Sequence, residues 1–286
     1  VTIFMTHGTL GIIACPMLDD NLVFGLKKDA EEKYITIINN KNNGSLRRKL
    51  EKELVPYETI GYDDLLAGKY CPDPSKFNVL VLMVDLGLHS RPDELKSAVE
   101  NSTREMQPYA DAFGFYLGTC GNFNWDIPEW CAKNGLKPAA MFRDAGGNLC
   151  HDCVGVNVAG GPRYNEMMKK YTGHFYVFPA MASNYDDFMG ADQADALKTE
   201  ESLTDEIREA LGIEPGRDGY MRWLLNQGDY KYILKLDTGI GNEHFDEDLQ
   251  KISDRTRLKV KVAEEGWATL HSTNCLYAKC KSMLGE

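Results

Sequence analysis

The chain has 286 residues, 43% of them apolar, and a formal net charge of −11. That is enough to build one large α/β domain or two small ones around a sizeable core. The acidity excludes a basic nucleic-acid footprint and disfavours an anionic membrane surface, and no apolar run reaches the roughly 18 residues needed to span a bilayer.

Taken in chain order, the pattern repeats strand, loop, helix. Leu10–Ala14 is a short apolar strand ending at Cys15-Pro16, and Met17–Lys28 follows as a helix with Leu18, Leu22 and Leu26 on one face. Tyr34–Ile38 is a strand, and Ser45–Leu54 a helix that Ser45 can cap. Phe77–Val84 is the clearest buried strand, a continuous β-rich run of the kind found where both faces are covered. A loop from Asp85 leads to a helix opening at Ser90-Arg91-Pro92-Asp93 and running to about Tyr109. Ala112–Leu117 is a strand, Pro128–Asn134 a short helix and Pro138–Phe142 a further strand. Val154–Tyr171 reads as helix, broken at Gly160, Gly161 and Pro162. His174–Phe178, Tyr232–Leu236 and Lys259–Val262 are strands, and Tyr220–Gln227 and Phe245–Leu258 are helices. Residues 183–218 form an acidic excursion with one helix, Asp205–Leu211.

This alternation predicts an α/β fold: a mostly parallel, Rossmann-like sheet with helices on both faces. The expected organisation is one domain over 1–286, with a division into lobes at 1–180 and 218–286 left open. Right-handed crossovers put all strand-to-helix loops on one edge, where open α/β sheets bind their ligands.

Cys15, Cys120 and the pair Cys150 and Cys153 fall in three such loops, beside residues that let the backbone bend: Pro16, Gly118 and Gly121, Gly146 and Gly147. Eight cysteines in a chain this long do not make a disulfide scaffold; in a reducing, cytoplasmic setting thiols at turns serve as metal ligands or catalytic groups. Three readings stand: a zinc or iron–sulfur site, thiol catalysis without metal, and unliganded buried cysteines. His151 supplies a further imidazole, with Asp152 to orient it. On the same edge, Arg91 near a helix start is either an anion holder or a solvated capping residue, with Asp85 and His89 beside it. Asn122 is a polar contact or a turn residue, and Asp237–Asn242 a tight Gly-rich turn. Cys131 reads as a packed small hydrophobe, and His7, His174, His244 and His271 carry no site signal.

The order of motifs is IACP, DLGLHSRPDEL, FYLGTCGN, CHDC with Tyr164 eleven residues beyond its last cysteine, then HFYVFPA. It resembles the family called domain of unknown function 1638, from about Leu10 to Tyr185 and more weakly to DTGIG. The resemblance implies that Cys15, Cys120 and Cys153 are recurring positions, as are His89, Arg91, Pro92 and His151, whereas Cys150 is particular to this branch. The family occurs in methanogens and anaerobic bacteria, and its members accompany corrinoid-dependent methyltransferases, including those for methylamines. The resemblance therefore implies one-carbon metabolism, with a corrinoid protein or a methyltransferase as partner. The expected function is a metal or iron–sulfur protein serving methyl transfer, either as a methyltransferase or as an accessory to one. Cys15, Cys120 and Cys153 would be its ligands, Cys150 or His151 the fourth, and His89, Arg91 and Asn122 its substrate contacts. Two alternatives remain: a cofactor-free cysteine acid/base enzyme, whose paired turns the IACP and GTCGN segments loosely resemble, and a non-catalytic module docking through residues 190–215, which depart from the family pattern.

Overall fold

The structure is a computed structural model and describes residues 5–120, 122, 124–192 and 194–285. Contacts divide the chain into two units, one comprising residues 1–161 and 269–286, the other 162–268. The boundaries therefore lie at Gly161 and Thr269, not near 180 and 218. The physical reason is the C-terminal tail, which returns to the first unit as a packed helix.

In the first unit, β1 (Gly8–Ala14), β2 (Tyr34–Asn39), β3 (Glu58–Gly61), β4 (Phe77–Met83), β5 (Ala112–Tyr116) and β6 (Ala139–Met141) form one all-parallel sheet in the order β3-β2-β4-β1-β5-β6. Its helices are α1 (Asp19–Lys28), α2 (Gly44–Lys52), α3 (Tyr62–Leu66), α4 (Pro92–Met106), α5 (Ile127–Lys133) and α6 (Cys153–Asn157). Alternate side chains of β1 serve two cores, as a period of two requires. Leu10, Ile12 and Ala14 pack with Leu22 and Leu26 of α1 and Leu46 and Leu50 of α2. Ile13 faces the other way, toward Leu65 of α3, Leu95 and Val99 of α4, and Ile127 of α5. Helices thus cover both faces.

The second unit continues the chain through α7 (Gly161–Lys170), β7 (His174–Val177), α8 (Pro179–Ser183), α9 (Tyr185–Asp192), α10 (Ala194–Ser202), α11 (Asp205–Leu211), α12 (Gly216–Gln227), β8 (Tyr232–Lys235), α13 (Phe245–Thr256) and β9 (Lys259–Val262). Its strands make a separate three-stranded parallel sheet, β7-β8-β9, so the chain builds two sheets where the sequence pattern suggested one. The acidic segment is helical along most of its described length, well beyond the single helix expected. The expected break after Val154 is present: Ala159, Gly160 and Gly161 all take positive φ (62°, 60° and 49°).

The last helix, α14 (His271–Lys281), belongs to the first unit and buries Leu276, Tyr277 and Cys280 in the core of α1 and α2. It comes so close to the sheet that a Cβ on Gly114 of β5 would lie 2.8 Å from the Cys280 sulfur.

Candidate thiol site

Register sets the level of the functional edge. Ala14, the last residue of β1, stands opposite Met83 of β4 and Tyr116 of β5, so the loops leaving these three strands start side by side. The crossover from β1 to β2 travels one way along the sheet, while that from β4 to β5 passes over β1 the other way. Adjacent loops then leave toward opposite faces, which opens a crevice at the carboxyl ends of β1 and β5. Cys15 and Cys120 sit in the loops that flank it.

Cys15 precedes a 3-10 turn, Pro16–Leu18, in which Pro16 fixes the first residue. Its N–H donates to the Tyr116 carbonyl at 3.0 Å, and the Met17 N–H donates to its sulfur. Cys153 opens α6, which Asp152 caps by accepting the Gly155 N–H at 2.6 Å. The loop carrying Cys120 lies directly on the segment before Cys153. The Thr119 N–H donates to the Cys150 carbonyl at 3.2 Å, and Thr119 Oγ1 donates to the His151 carbonyl at 3.1 Å. Gly118 is required at this contact, because a Cβ there would lie 2.8 Å from Asp152 Cα. The Cys153 N–H acts on the Cys120 sulfur and the Val154 N–H on the Cys153 sulfur, each favouring the thiolate against burial.

The three sulfurs sense one another. Burial pushes the Cys15 thiol up to about 12, against the Met17 N–H and with the help of Asp19. Burial, then the neighbouring Cys15 and Asp152, pushes Cys120 up to about 12. Burial, then Cys120, Asp152 and Cys15, holds Cys153 well above the ordinary thiol range. Each residue as a whole is only half-buried, yet loss of water around the sulfur dominates in all three. The charges acting on them are carboxylates and one another, so all three are neutral thiols at neutral pH. Among the described residues no group of three or more His, Cys, Asp or Glu stands at ion-holding geometry. The three are neighbouring protonated thiols rather than a closed ligand shell.

The other expected residues lie apart from this trio. Cys150 points into the core, its sulfur 3.7 Å from Ser272 Oγ of α14, and the charges that act on it are Asp144 and Asp152. Expecting the C-x-x-C pair to act together overlooked that Cys150 still belongs to the packed stretch, while Cys153 has entered a helix. His151 is exposed and joins the site through its carbonyl. His89 lies in the 3-10 turn Leu86–Ser90, which Asp85 caps by accepting the Gly87 N–H at 2.8 Å. Arg91 is exposed and pairs with Glu94 at 2.8 Å, and its side chain makes no capping hydrogen bond to α4. Asn122 is buried and stitches its own turn: its Nδ2 donates to the Gly118 carbonyl and its Oδ1 accepts from the Trp125 N–H, both at 3.2 Å. It shapes the loop that carries Cys120. Gly121, read as a bend beside Cys120, lies outside the described residues.

Sequence reasoning missed a buried polar layer behind the thiols. Asp19, Asp20 and Asn21, in the first turn of α1, are all buried. Asp19 accepts from Ser45 Oγ at 2.7 Å, and Lys49 of α2 bridges Asp19 and Asp20 at 2.6 and 2.8 Å. Asn21 Nδ2 donates to Asn157 Oδ1 at 3.0 Å and Thr273 Oγ1 at 2.9 Å, while Asn157 Nδ2 donates to the Cys153 carbonyl at 2.9 Å. The helix behind Cys15 is thereby tied to the helix that begins at Cys153. Acids in a first helical turn ordinarily complement the helix dipole at the surface, so nothing in the pattern marked these as buried.

Fold and site together define an all-parallel α/β protein with three thiols at the switch point of its larger sheet. The chain belongs to the family described as protein of unknown function (DUF1638), which it matches over residues 83–273. The match starts after the Cys15 turn and runs through the acidic segment, later at both ends than the resemblance read from the motifs. Comparison with curated proteins and with solved structures gave no match. Among the described residues no helix is long and apolar enough to cross a membrane.

Proposed function

We propose that Cys15, Cys120 and Cys153 together hold a thiophilic metal ion or an iron–sulfur cluster, in a cytoplasmic protein serving corrinoid-dependent methyl transfer. The observation that carries the metal reading is the convergence of three thiols, two from loops that follow β1 and β5 and one from the first turn of α6, each sulfur with a backbone N–H acting on it. Thiols in this setting ionise when a cation replaces their protons, and soft sulfur donors favour zinc or iron over magnesium or calcium. The backbone N–H groups would then stabilise the sulfur charge, the role of outer hydrogen bonds around a metal. A ligand from solution takes the fourth position, because Cys150 is directed at Ser272 and His151 is exposed, meeting the site through its carbonyl. A metal bound there would make a substrate thiol or water nucleophilic, or a cluster would carry electrons. The link to corrinoid chemistry is supported by the family resemblance.

Acid/base catalysis by Cys15 and Cys120 without metal is the weaker reading. A thiol held near 12 supplies little base at neutral pH, and general catalysis is most efficient near the operating pH. Metal and acid-labile sulfide assays on protein purified without oxygen test the proposal. Zinc, or iron with sulfide, is expected in the wild type and in Cys150→Ser, and is lost in Cys15→Ser, Cys120→Ser and Cys153→Ser. Equal metal content in all five proteins overturns it.

A further inference from the structure

Helix α14 buries one side in the first core and leaves the other to solvent. On the exposed side stand His271, Cys275 and Lys279. Positions four apart on a helix share a face, so the three form one stripe with the thiol in the middle. The Cys275 sulfur lies 3.6 Å from His271 Nε2. A further cation borders the stripe: Lys28 of α1 donates to Asn274 Oδ1 at 2.8 Å. This is a local cluster of basic groups on a chain with a formal net charge of −11.

No other cysteine has these surroundings. Burial raises Cys15, Cys120, Cys131, Cys150, Cys153 and Cys280. Cys71 is exposed as Cys275 is, but among the described residues no hydrogen bond reaches its sulfur.

We propose that Cys275, activated by His271, is a thiol-modification site that reacts with small carboxylate-bearing disulfides to form a mixed disulfide. The His271 imidazole lies within hydrogen-bond reach of the sulfur and takes the thiol proton as the sulfur attacks. Lys279 attracts an anionic reagent. In the reaction the Cys275 sulfur attacks one sulfur of the disulfide. A new S–S bond forms, the old one breaks, and the other half departs as a thiolate that takes up the proton relayed by His271. The disulfide is the oxidant, and Cys275 is oxidised. The exposed helix face lets the reagent approach without backbone movement. This site is independent of the metal reading.

The test uses the full chain at neutral pH and two reagents, anionic dithiobis(nitrobenzoate) and a neutral dipyridyl disulfide, with peptide mapping to assign the modified cysteine. Cys275 is expected to react first, roughly tenfold faster than Cys71. His271→Asn should slow it by a similar factor. Lys279→Gln should slow the anionic reagent more than the neutral one, and Cys275→Ser should abolish the fast phase. Equal rates at Cys71 and Cys275, or an unchanged rate in His271→Asn, overturn the proposal. Equal slowing of both reagents in Lys279→Gln overturns its anionic selectivity.

Discussion

Asp20 holds a buried carboxyl oxygen, Oδ2, without a hydrogen-bond partner. Burial raises its pKa to about 6, against the pull of Lys49 and with the push of Asp19; Lys52 acts with Lys49. An unfolded chain gives up this proton near pH 4. Between about pH 4 and about pH 6 the folded state therefore binds the proton that the unfolded state has lost, and this group's contribution to stability falls as pH rises. Above that window the penalty is constant. Asp20→Asn should flatten this part of the profile and raise stability at pH 7 by on the order of 2 kcal/mol, with Lys49 still paired to Asp19. Urea unfolding from pH 4 to 8 measures it, and an unchanged slope in the variant contradicts the assignment. At this scale the sequence was legible in placing residues in the chain, as for Cys15 directly after β1 and Cys120 in the loop after β5. It was illegible where a polar residue is buried against a partner distant in the chain, as Asn21 is against Thr273.

Elements decide which thiols meet. Three strands end at one level because β1 is in register with both β4 and β5, and the buried runs FNVLVLM and AFGFY announced those strands plainly. The short β3 was missed: its residues are exposed or half-buried at an edge, and ETIG lacks a core-facing apolar alternation. The contact between the Cys120 loop and the start of α6 depends on a missing side chain at Gly118. Gly118→Ala puts a Cβ against the Asp152 backbone, which cannot rotate aside as a side chain tip would. Overpacking of this kind costs about 1–3 kcal/mol. A lower melting temperature is expected and, because Cys120 is pushed away from Cys153, a loss of bound metal exceeding that in a surface control such as Arg91→Lys. Retained metal at full stoichiometry would show that the loop contact does not position the thiols.

Across the whole molecule, the strand–helix alternation revealed the class of fold but not its partition. Nothing in the run of strands says that β7, β8 and β9 pair among themselves, because the choice of neighbour depends on which buried faces match rather than on local pattern. Nor did the tail declare itself: Leu276, Tyr277 and Cys280 share a core-facing side of α14 with only weak apolar periodicity around them. The central claim is of the same long-range kind, that sulfurs from residues 15, 120 and 153 act as one donor set. X-ray absorption at the metal edge of the anaerobically purified protein, native or reloaded with zinc or iron, tests it most directly. A first shell with three protein sulfurs at about 2.3 Å, besides any cluster sulfide, is expected in the wild type, and no bound metal in Cys153→Ser. A shell of oxygen and nitrogen alone, or protein that takes up neither metal, contradicts it.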